Sequence, residues 1–381
     1  MIYLDHAATS HPKPAAVLTA MSGYLREAGN PGRSGHRLAQ IAEQEVWAAR
    51  ETVAELLHAD QPERVVFAAN ATAALNIAIA GLLRPGDRCL ISAFEHNSVV
   101  RPLHALQESG ITTTVIPPST DSPVDLNRLA SELTTGDVRL VVISHASNVT
   151  GAVVPLTAVH SLTLQYGVPL VLDASQSAGH LPVRADDAEV VVFAGHKGLF
   201  GPQGTGGMHV SDRVTVRPLL HGGTGGRSEL PRQPRWLPYA LESGTPNGVG
   251  IAGLRAGVRH VLDEGLPAIA ARERSLRDRL VAGLRGQTGI RLHGWPSTEP
   301  PAPVVSMTFD GTPNATAATL LEERYDVLVR SGLHCAPAAH RTLTTIEGGT
   351  VRFALSHLTT EADIDTTIGA VADLAKESEV S

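Results

Sequence analysis

The chain has 381 residues and a formal net charge of −7, with 43% hydrophobic and 18% charged residues, a composition typical of folded globular proteins. The acidic balance and the absence of a long basic run argue against nucleic acid or an anionic membrane as the main partner. No apolar run reaches the ~18 residues of a membrane span, and the N-terminus lacks the features of a secretory signal. We therefore expect a cytoplasmic protein of two domains.

The first part of the chain alternates between short apolar strands and helices. After an extended segment, 1–12, we predict two helices, 15–28 and 37–58, separated by a glycine-rich loop, 29–37. The strands that follow are predicted at 64–68, 88–92, 112–116, 138–144, 168–172 and 190–194, and the helices between them at 71–83, 97–108, 125–134 and 155–166. This alternation predicts an α/β fold with a mostly parallel sheet. Ligands of such sheets bind beyond the carboxyl ends of the strands.

A smaller α+β unit is predicted in the last third of the chain. Its helices are expected at 248–263, 266–286, 314–323 and 360–376, and its strands at 303–308, 326–330 and 350–355. We place the large domain at 13–255 and assign 1–12 together with 256–381 to the small domain. The two cysteines, Cys89 and Cys335, are expected to be free thiols, with Cys89 buried in its strand.

Polar residues stand directly after the predicted strands. Ala71 and Thr72 open a helix after strand 64–68, which is typical of a phosphate site or of an ordinary helix cap. His96 follows strand 88–92 and Asn148 follows strand 138–144, where ligand contacts and turn chemistry are both plausible. Asp173 follows strand 168–172, where a carboxylate needs either a cationic partner or a capping role.

Strand 190–194 leads into the sequence GHKGLFGPQGTGG, which we interpret as a glycine-rich turn at 195–207. Lys197 lies directly beyond the strand end, next to His196. An amine in this position is typical of a lysine that forms a Schiff base with a carbonyl cofactor, although a solvated loop lysine has the same local pattern. A phosphate site, the ring of His96, the carboxylate of Asp173 and the amine of Lys197 follow successive strands in that order. This combination favours the cofactor interpretation.

Several longer motifs support one family. They are YLDHAAT (3–9), NATAALN (70–76), EHNS (95–98), SNVTG (147–151), DASQSAGH (173–180), GHKGLFGPQGTG (195–206), ESGTPN (242–247) and RSGLHCAP (330–337). With them the sequence resembles the cysteine desulfurases, in the class V aminotransferase group of pyridoxal phosphate enzymes with fold type I. The resemblance implies a large domain with a mostly parallel seven-stranded sheet and a small C-terminal domain that carries a catalytic cysteine loop.

The resemblance also implies roles for residues around pyridoxal 5'-phosphate. Lys197 would bind the cofactor covalently, Asp173 would pair with the pyridine nitrogen, and Gln176 would contact the 3-hydroxyl. His96 would stack on the ring. Asn148 would contact cofactor and substrate. The residues implied at the phosphate are Ala71, Thr72, His196 and, from the neighbouring subunit of a homodimer, Thr245.

The implied reaction converts L-cysteine to L-alanine. Arg352 and Asn148 match the positions that hold the substrate carboxylate, and His36, in the loop that also contains Arg33 and Arg37, is a further substrate candidate. Cys335 would act with Lys197 and His96 as a catalytic residue and take the sulfur as a persulfide, with the adjacent His334 favouring the thiolate. The sulfur would pass to an acceptor protein for iron–sulfur clusters or thio-cofactors. No metal site is predicted.

Other functions fit part of the same pattern. A selenocysteine lyase, another C–S lyase, an epimerase or a class V aminotransferase-like enzyme would not need Cys335, and a catalytically silent sulfur-trafficking scaffold would not need the cofactor. The chain departs from its relatives at Ala194, where many have a hydroxyl residue, so we expect one phosphate hydrogen bond to be missing or replaced by water. His6 and Leu333 are further departures.

Overall fold

The structure is a computed structural model that describes residues 1–32, 35–225 and 231–380; Arg33 of the predicted substrate loop lies outside them. The elements up to residue 264 are β1 (Ile2–Tyr3), α1 (Ala15–Glu27), α2 (Arg37–Leu56), β2 (Val65–Ala68), α3 (Ala71–Leu82), β3 (Arg88–Ser92), α4 (Asn97–Leu106), β4 (Thr112–Ile116), α5 (Leu126–Leu133), β5 (Val138–Ser144), α6 (Leu156–Gln165), β6 (Leu170–Asp173), β7 (Val190–Ala194), β8 (Gly206–Val210) and α7 (Gly248–Glu264). The remaining elements are α8 (Leu266–Leu284), β9 (Ile290–His293), β10 (Val304–Phe309), α9 (Asn314–Tyr325), β11 (Val327–Leu328), β12 (Arg330–Gly332), α10 (Pro337–Thr342), β13 (Thr350–Ala354) and α11 (Glu361–Val380).

The large sheet has seven strands in the order β2-β8-β7-β6-β5-β3-β4, and helices cover both of its faces. Its central strands β5, β6 and β7 are nearly continuous apolar runs because successive side chains enter opposite cores. Val191 and Phe193 of β7 pack with α2, α5, α6 and α7. Val190 and Val192 pack on the other face with α3 and α4. The predicted α/β fold with a mostly parallel seven-stranded sheet is confirmed.

The turn predicted at 195–207 ends earlier than expected, because Gly206 and Gly207 begin β8. This strand is antiparallel to both of its neighbours, β2 and β7. A Cβ atom on Gly206 would lie 2.7 Å from the carbonyl carbon of Asn70 and 2.8 Å from the backbone nitrogen of Ala71. The glycine therefore allows β8 to pass close to the start of α3. Because glycine has a low strand propensity, the same residue explains why the sequence did not predict this strand.

The second sheet is antiparallel, with the order β12-β13-β10-β9. The strand predicted at 326–330 is divided: β11 pairs with β1, whereas β12 pairs with β13. The N-terminal segment is thus bound to the C-terminal part of the chain, and Asp5 adds a bridge to Ala354. The predicted domain boundary at 255 falls within α7 and stays a prediction. Among the described residues no helix combines the length and apolar character needed to cross a bilayer.

A buried polar cluster connects helix α8 with the loops that follow β6 and β13. Glu273 of α8 is 2% exposed, and its carboxylate accepts hydrogen bonds from His180 Nδ1 at 2.9 Å and from the backbone nitrogen of His357 at 3.0 Å. The His357 ring lies 5.0 Å from the ring of Phe200, three residues after Lys197. Glu273 therefore links the loop after β6 to the segment after β13, and the His357 ring in turn contacts the turn after β7.

Replacing Glu273 by alanine should destabilise the protein by about 2–4 kcal/mol, because two buried N–H groups lose their acceptor. Urea unfolding measures this change. The control is Glu361→Ala, which removes an exposed partner of Arg279 and should change stability little. Equal losses in the two variants would contradict a special role for the buried carboxylate.

Candidate active site

A cavity of about 230 Å³ lies beyond the carboxyl ends of β3, β5, β6 and β7. Nine of the twelve predicted site residues line it. They are Ala71, Thr72, His96, Asn148, Asp173, Gln176, His196, Lys197 and Arg352. Arg330 and His334, from the predicted cysteine loop, line it too. The three residues outside its lining are Cys335, Thr245 and His36.

Lys197 stands in a tight turn that its own backbone closes. Gly195 N donates to Thr205 O at 3.0 Å, Gly201 N donates to Gly195 O at 2.7 Å, and Phe200 N donates to Lys197 O at 2.9 Å. Burial lowers the pKa of Lys197 to about 8, against the opposing effect of Asp173. A lysine of this kind supplies the neutral amine that nucleophilic and base chemistry needs near neutral pH.

Asp173 and Gln176 form the floor of the cavity beside the N-terminal segment. One oxygen of the buried Asp173 carboxylate accepts from the backbone nitrogen of Ser175 at 2.9 Å and from its hydroxyl. The carboxylate is thereby oriented to pair with a cationic group in the cavity. Gln176 Nε2 donates to Ala7 O at 3.0 Å, which ties the floor to the N-terminus.

His96 is the N-cap of α4 and a neutral ring. Its Nδ1 accepts a hydrogen bond from Ser98 N at 3.1 Å, which places the ring proton on Nε2. Burial lowers the pKa of His96 to about 4, so the imidazole carries no charge at neutral pH. An uncharged aromatic ring at this position suits stacking on a flat ligand.

The start of α3 offers hydrogen-bond donors to an anion. The Asn70 side chain caps the helix by accepting from Ala73 N at 2.8 Å. Within the described part of the chain, the backbone N–H groups of Ala71 and Thr72 have no acceptor. His196 Nδ1 is buried, also without a partner. These donors fit a phosphate group, and the methyl group of Ala194 adds none.

Arg352 is a buried cation with fixed orientation. It is 1% exposed, its Nη2 lies 2.7 Å from Asp5 Oδ1, and its Nη1 donates to Asn148 O at 3.1 Å. The side-chain amide of Asn148 donates to His334 O at 2.6 Å. Arg352 is thus linked to the cysteine loop. Asp5 was not predicted as a site residue, and its only signal is its place in the YLDHAAT motif.

Cys335 is exposed, next to the buried His334. Both residues adopt left-handed backbone conformations, with φ of 58° and 49°, and the Cys335 carbonyl accepts from Asn97 N at 2.8 Å. Burial lowers the pKa of His334 to about 2, so the prediction that His334 favours the thiolate is wrong. The cation beside the sulfur is Arg330, whose Nη2 lies 3.8 Å from Sγ.

Both cysteines are free thiols, as predicted. Cys89 is buried in β3, and burial raises the pKa of its thiol well above the usual range. It is therefore unreactive at neutral pH, and Cys335 is the accessible thiol.

Thr245 and His36 lie away from this cavity within a single chain. Thr245 lines a second, mostly apolar surface groove together with Trp47 and Tyr239. His36 is the N-cap of α2, where its Nδ1 accepts from Ala39 N at 3.3 Å. Their predicted roles toward phosphate and substrate stay predictions.

Glu95 is a buried carboxyl that sequence reasoning did not select. It is 0% exposed and accepts hydrogen bonds from Ser92 Oγ at 2.5 Å and from Ser144 Oγ at 2.7 Å. Burial raises the pKa of Glu95 to about 7, while its hydrogen bonds act in the opposite direction. Glu95 connects the ends of β3 and β5 beneath the cavity.

Comparison with known proteins identifies the family of this chain. The sequence profile of the family "Aminotransferase class-V" matches residues 2–367. The chain is 32% identical over 373 residues to a probable cysteine desulfurase of Methanothermobacter thermautotrophicus, covering 95% of this chain and 92% of that one. It is 30% identical to the cysteine desulfurase IscS of Klebsiella pneumoniae, with 97% and 91% covered.

Solved structures show the same likeness. The apo cysteine desulfurase of Thermococcus onnurineus superposes with a TM-score of 0.91 at 30% identity, covering 99% of this chain and 95% of that one. The cysteine desulfurase CsdA of Escherichia coli superposes with a TM-score of 0.87 at 29% identity, covering 98% and 94%. The fold and the sequence match define a member of the class V aminotransferase family, to which the chain belongs. Within the family, it belongs with the cysteine desulfurases.

The raised pKa of Glu95 predicts a pH-dependent cost in stability. Because its carboxyl ionises near pH 4.5 when unfolded but near pH 7 when folded, stability falls as the pH rises through this window. Glu95→Gln should remove this loss. The free energy of unfolding of the variant minus that of wild type should therefore increase by on the order of 3 kcal/mol as the pH rises through this window.

Urea unfolding of both proteins at several pH values measures the difference. The control is Glu323→Gln at an exposed position, which retains Glu95 and should follow the wild-type pH curve. A Glu95→Gln variant whose stability follows the wild-type pH curve would contradict the assignment.

Proposed function

We propose that this protein is a pyridoxal phosphate-dependent cysteine desulfurase that converts L-cysteine to L-alanine and takes the sulfur onto Cys335 as a persulfide. The observation that supports this most is the convergence of Lys197, Asp173 and Arg352 on one cavity, with the exposed Cys335 held next to Arg330 of its lining. An aminotransferase has no use for that thiol, and a silent sulfur-trafficking scaffold has no use for Lys197 and Asp173 in the cavity.

The cavity suits pyridoxal phosphate in each of its parts. Lys197 would hold the cofactor covalently, Asp173 would pair with its ring nitrogen, and Gln176 would contact its 3-hydroxyl. His96 would stack on the ring, and Asn148 would lie at its edge. The phosphate would be held by the unpartnered donors of Ala71, Thr72 and His196. When bound, the cofactor supplies an electron sink that makes the α-proton of the substrate acidic.

Substrate binding is assigned to Arg352, with Asn148 beside it. A guanidinium binds a carboxylate through two parallel hydrogen bonds, and Asp5 fixes the plane of this one. With the α-carboxylate held there, Lys197 is the base that removes the α-proton and later returns a proton. Its pKa of about 8 lets the same amine do both near neutral pH.

Sulfur transfer is assigned to the Cys335 thiolate, which the Arg330 guanidinium stabilises. The thiolate attacks the sulfur atom of the substrate, so an S–S bond forms as the C–S bond breaks. The electron pair of the broken bond stays with the β-carbon, which is protonated and leaves as the methyl group of alanine. The terminal sulfur of the persulfide then passes to a thiol of an acceptor protein.

We also propose a homodimer with shared active sites and a cytoplasmic location. The groove that Thr245 lines includes the exposed Trp47 and Tyr239, and a second copy placed there would bring Thr245 toward the phosphate of its partner. His36 is kept as a substrate-side candidate in the same arrangement. The free thiols are consistent with a reducing compartment.

Replacing Cys335 by alanine should abolish the formation of alanine from L-cysteine and leave the visible absorbance of the bound cofactor unchanged. Replacing Lys197 by alanine should abolish both, because the covalent link to the cofactor is lost. Amino-acid analysis and absorbance spectra measure the two effects, and mass spectrometry of wild type after exposure to L-cysteine should show one added sulfur on Cys335.

Continued alanine formation by Cys335→Ala would instead favour a selenocysteine lyase or another C–S lyase. Neither of these lyases needs an accessible thiol at the cavity, so the position of Cys335 favours the desulfurase over both.

Replacing Arg352 by glutamine should raise KM for L-cysteine at least about tenfold, because a charge-assisted carboxylate contact is lost. The cofactor absorbance should stay that of wild type. Arg341→Gln, on the exposed surface of α10, is the control and should leave KM unchanged. An unchanged KM in Arg352→Gln would exclude Arg352 as the carboxylate anchor.

A further inference from the structure

Lys13 has an unusual position among the cations of this protein. The chain contains only three lysines, Lys13, Lys197 and Lys376. The half-buried Lys13 donates from Nζ to Ser10 Oγ at 2.7 Å and to the carbonyl of His196 at 2.9 Å. Among the ion pairs of the described residues, none includes Lys13. Its charge is therefore not neutralised by a carboxylate.

The carbonyl of His196 is the meeting point of the N-terminal segment and the lysine turn. Besides Lys13, it accepts from Thr9 Oγ1 at 3.0 Å and from Ser10, through the backbone nitrogen at 3.0 Å and the hydroxyl at 3.2 Å. Lys13 is the one charged donor among them, and charge-assisted hydrogen bonds are the stronger kind. The peptide that joins His196 to Lys197 is thus held by the N-terminal segment.

The same histidine lines the cavity together with Ala71 and Thr72 at the start of α3 and with Ala194. Its Nδ1 is buried without a partner. Burial, Lys197 and Lys13 together lower the pKa of His196 to about 4, so the field of Lys13 reaches this ring. Lys13 is a cation without a carboxylate partner, and the donors of α3 and His196 have no acceptor. Together they make this end of the cavity attractive to an anion.

We propose that Lys13 is a positioning residue for the phosphate of the cofactor: it fixes the His196 peptide and adds positive potential at the site where Ala194 provides no hydroxyl. The inference rests on the proposed cofactor. A hydrogen bond acts only on contact, whereas an ammonium ion also acts over several ångströms in a partly desolvated site. Lys13 thereby favours a phosphate dianion without touching it.

The test compares two ligands that differ only in the phosphate, pyridoxamine 5'-phosphate and pyridoxamine. Neither carries an aldehyde, so neither forms a covalent bond with Lys197. Equilibrium dialysis at about pH 7 and constant salt gives Kd of each ligand for the cofactor-free full chain. The variants are Lys13→Met and the charge-conserving Lys13→Arg, and the matched control is Lys376→Met on the exposed side of α11.

We expect Lys13→Met to weaken binding of pyridoxamine 5'-phosphate about tenfold while Kd for pyridoxamine stays within about twofold of wild type. Lys13→Arg should retain most of the preference, and Lys376→Met all of it. Circular dichroism confirms that each variant is folded.

Equal weakening of both ligands in Lys13→Met would overturn the inference, since Lys13 would then act on the fold alone. Full retention of the preference in Lys13→Met would overturn it as well, while leaving the cofactor proposal intact. A wild-type protein that does not prefer the phosphorylated ligand would overturn the proposed cofactor site itself, and Lys13 with it.

Discussion

The turn between β7 and β8 has almost no room to move, and the arrangement of the site depends on this constraint. A Cβ atom on Gly198 would lie 2.4 Å from Ala178 O, and one on Gly201 would lie 2.7 Å from Gly195 O. The backbone around Lys197 is therefore packed on both sides. Because close-packed segments transmit small displacements, the direction of the Lys197 amine is set by the loop after β6 and by the N-terminal segment.

The cationic, anionic and neutral side chains that line the cavity have different roles. Lys197, Arg330 and Arg352 bring positive charge, and Asp173 is the carboxylate that faces them. The neutral rings between these charges, such as His96, result from burial next to cations. Such a site offers positive potential to the phosphate and carboxylate of its ligands, and one negative group to a cationic ring nitrogen. Neutral imidazoles avoid the cost of placing further charge there.

Much of this was visible in the sequence, because catalytic groups at strand ends leave a local pattern. His96, Asp173 and Lys197 each lie at or within a few residues of the end of an apolar strand, so the strand pattern placed them at one edge of a sheet. Strand β8 was missed because Gly206 and Gly207 have low strand propensity, and their function is to permit close backbone contact. The role assigned to His334 was wrong because burial of a ring cannot be read from its neighbours in sequence.

Fold class, family and the residues at the strand ends could be predicted from the amino-acid sequence, since these are encoded over stretches of a few residues. The groups that hold the catalytic residues in place could be identified only from the packing of the folded chain. Asp5 reaches Arg352 across 347 positions, Lys13 reaches His196 O across 183, and Glu273 reaches His180 across 93. Such pairs exist because two sheets and an N-terminal segment pack against each other, and a hydrogen bond between distant residues leaves no periodic trace in the chain.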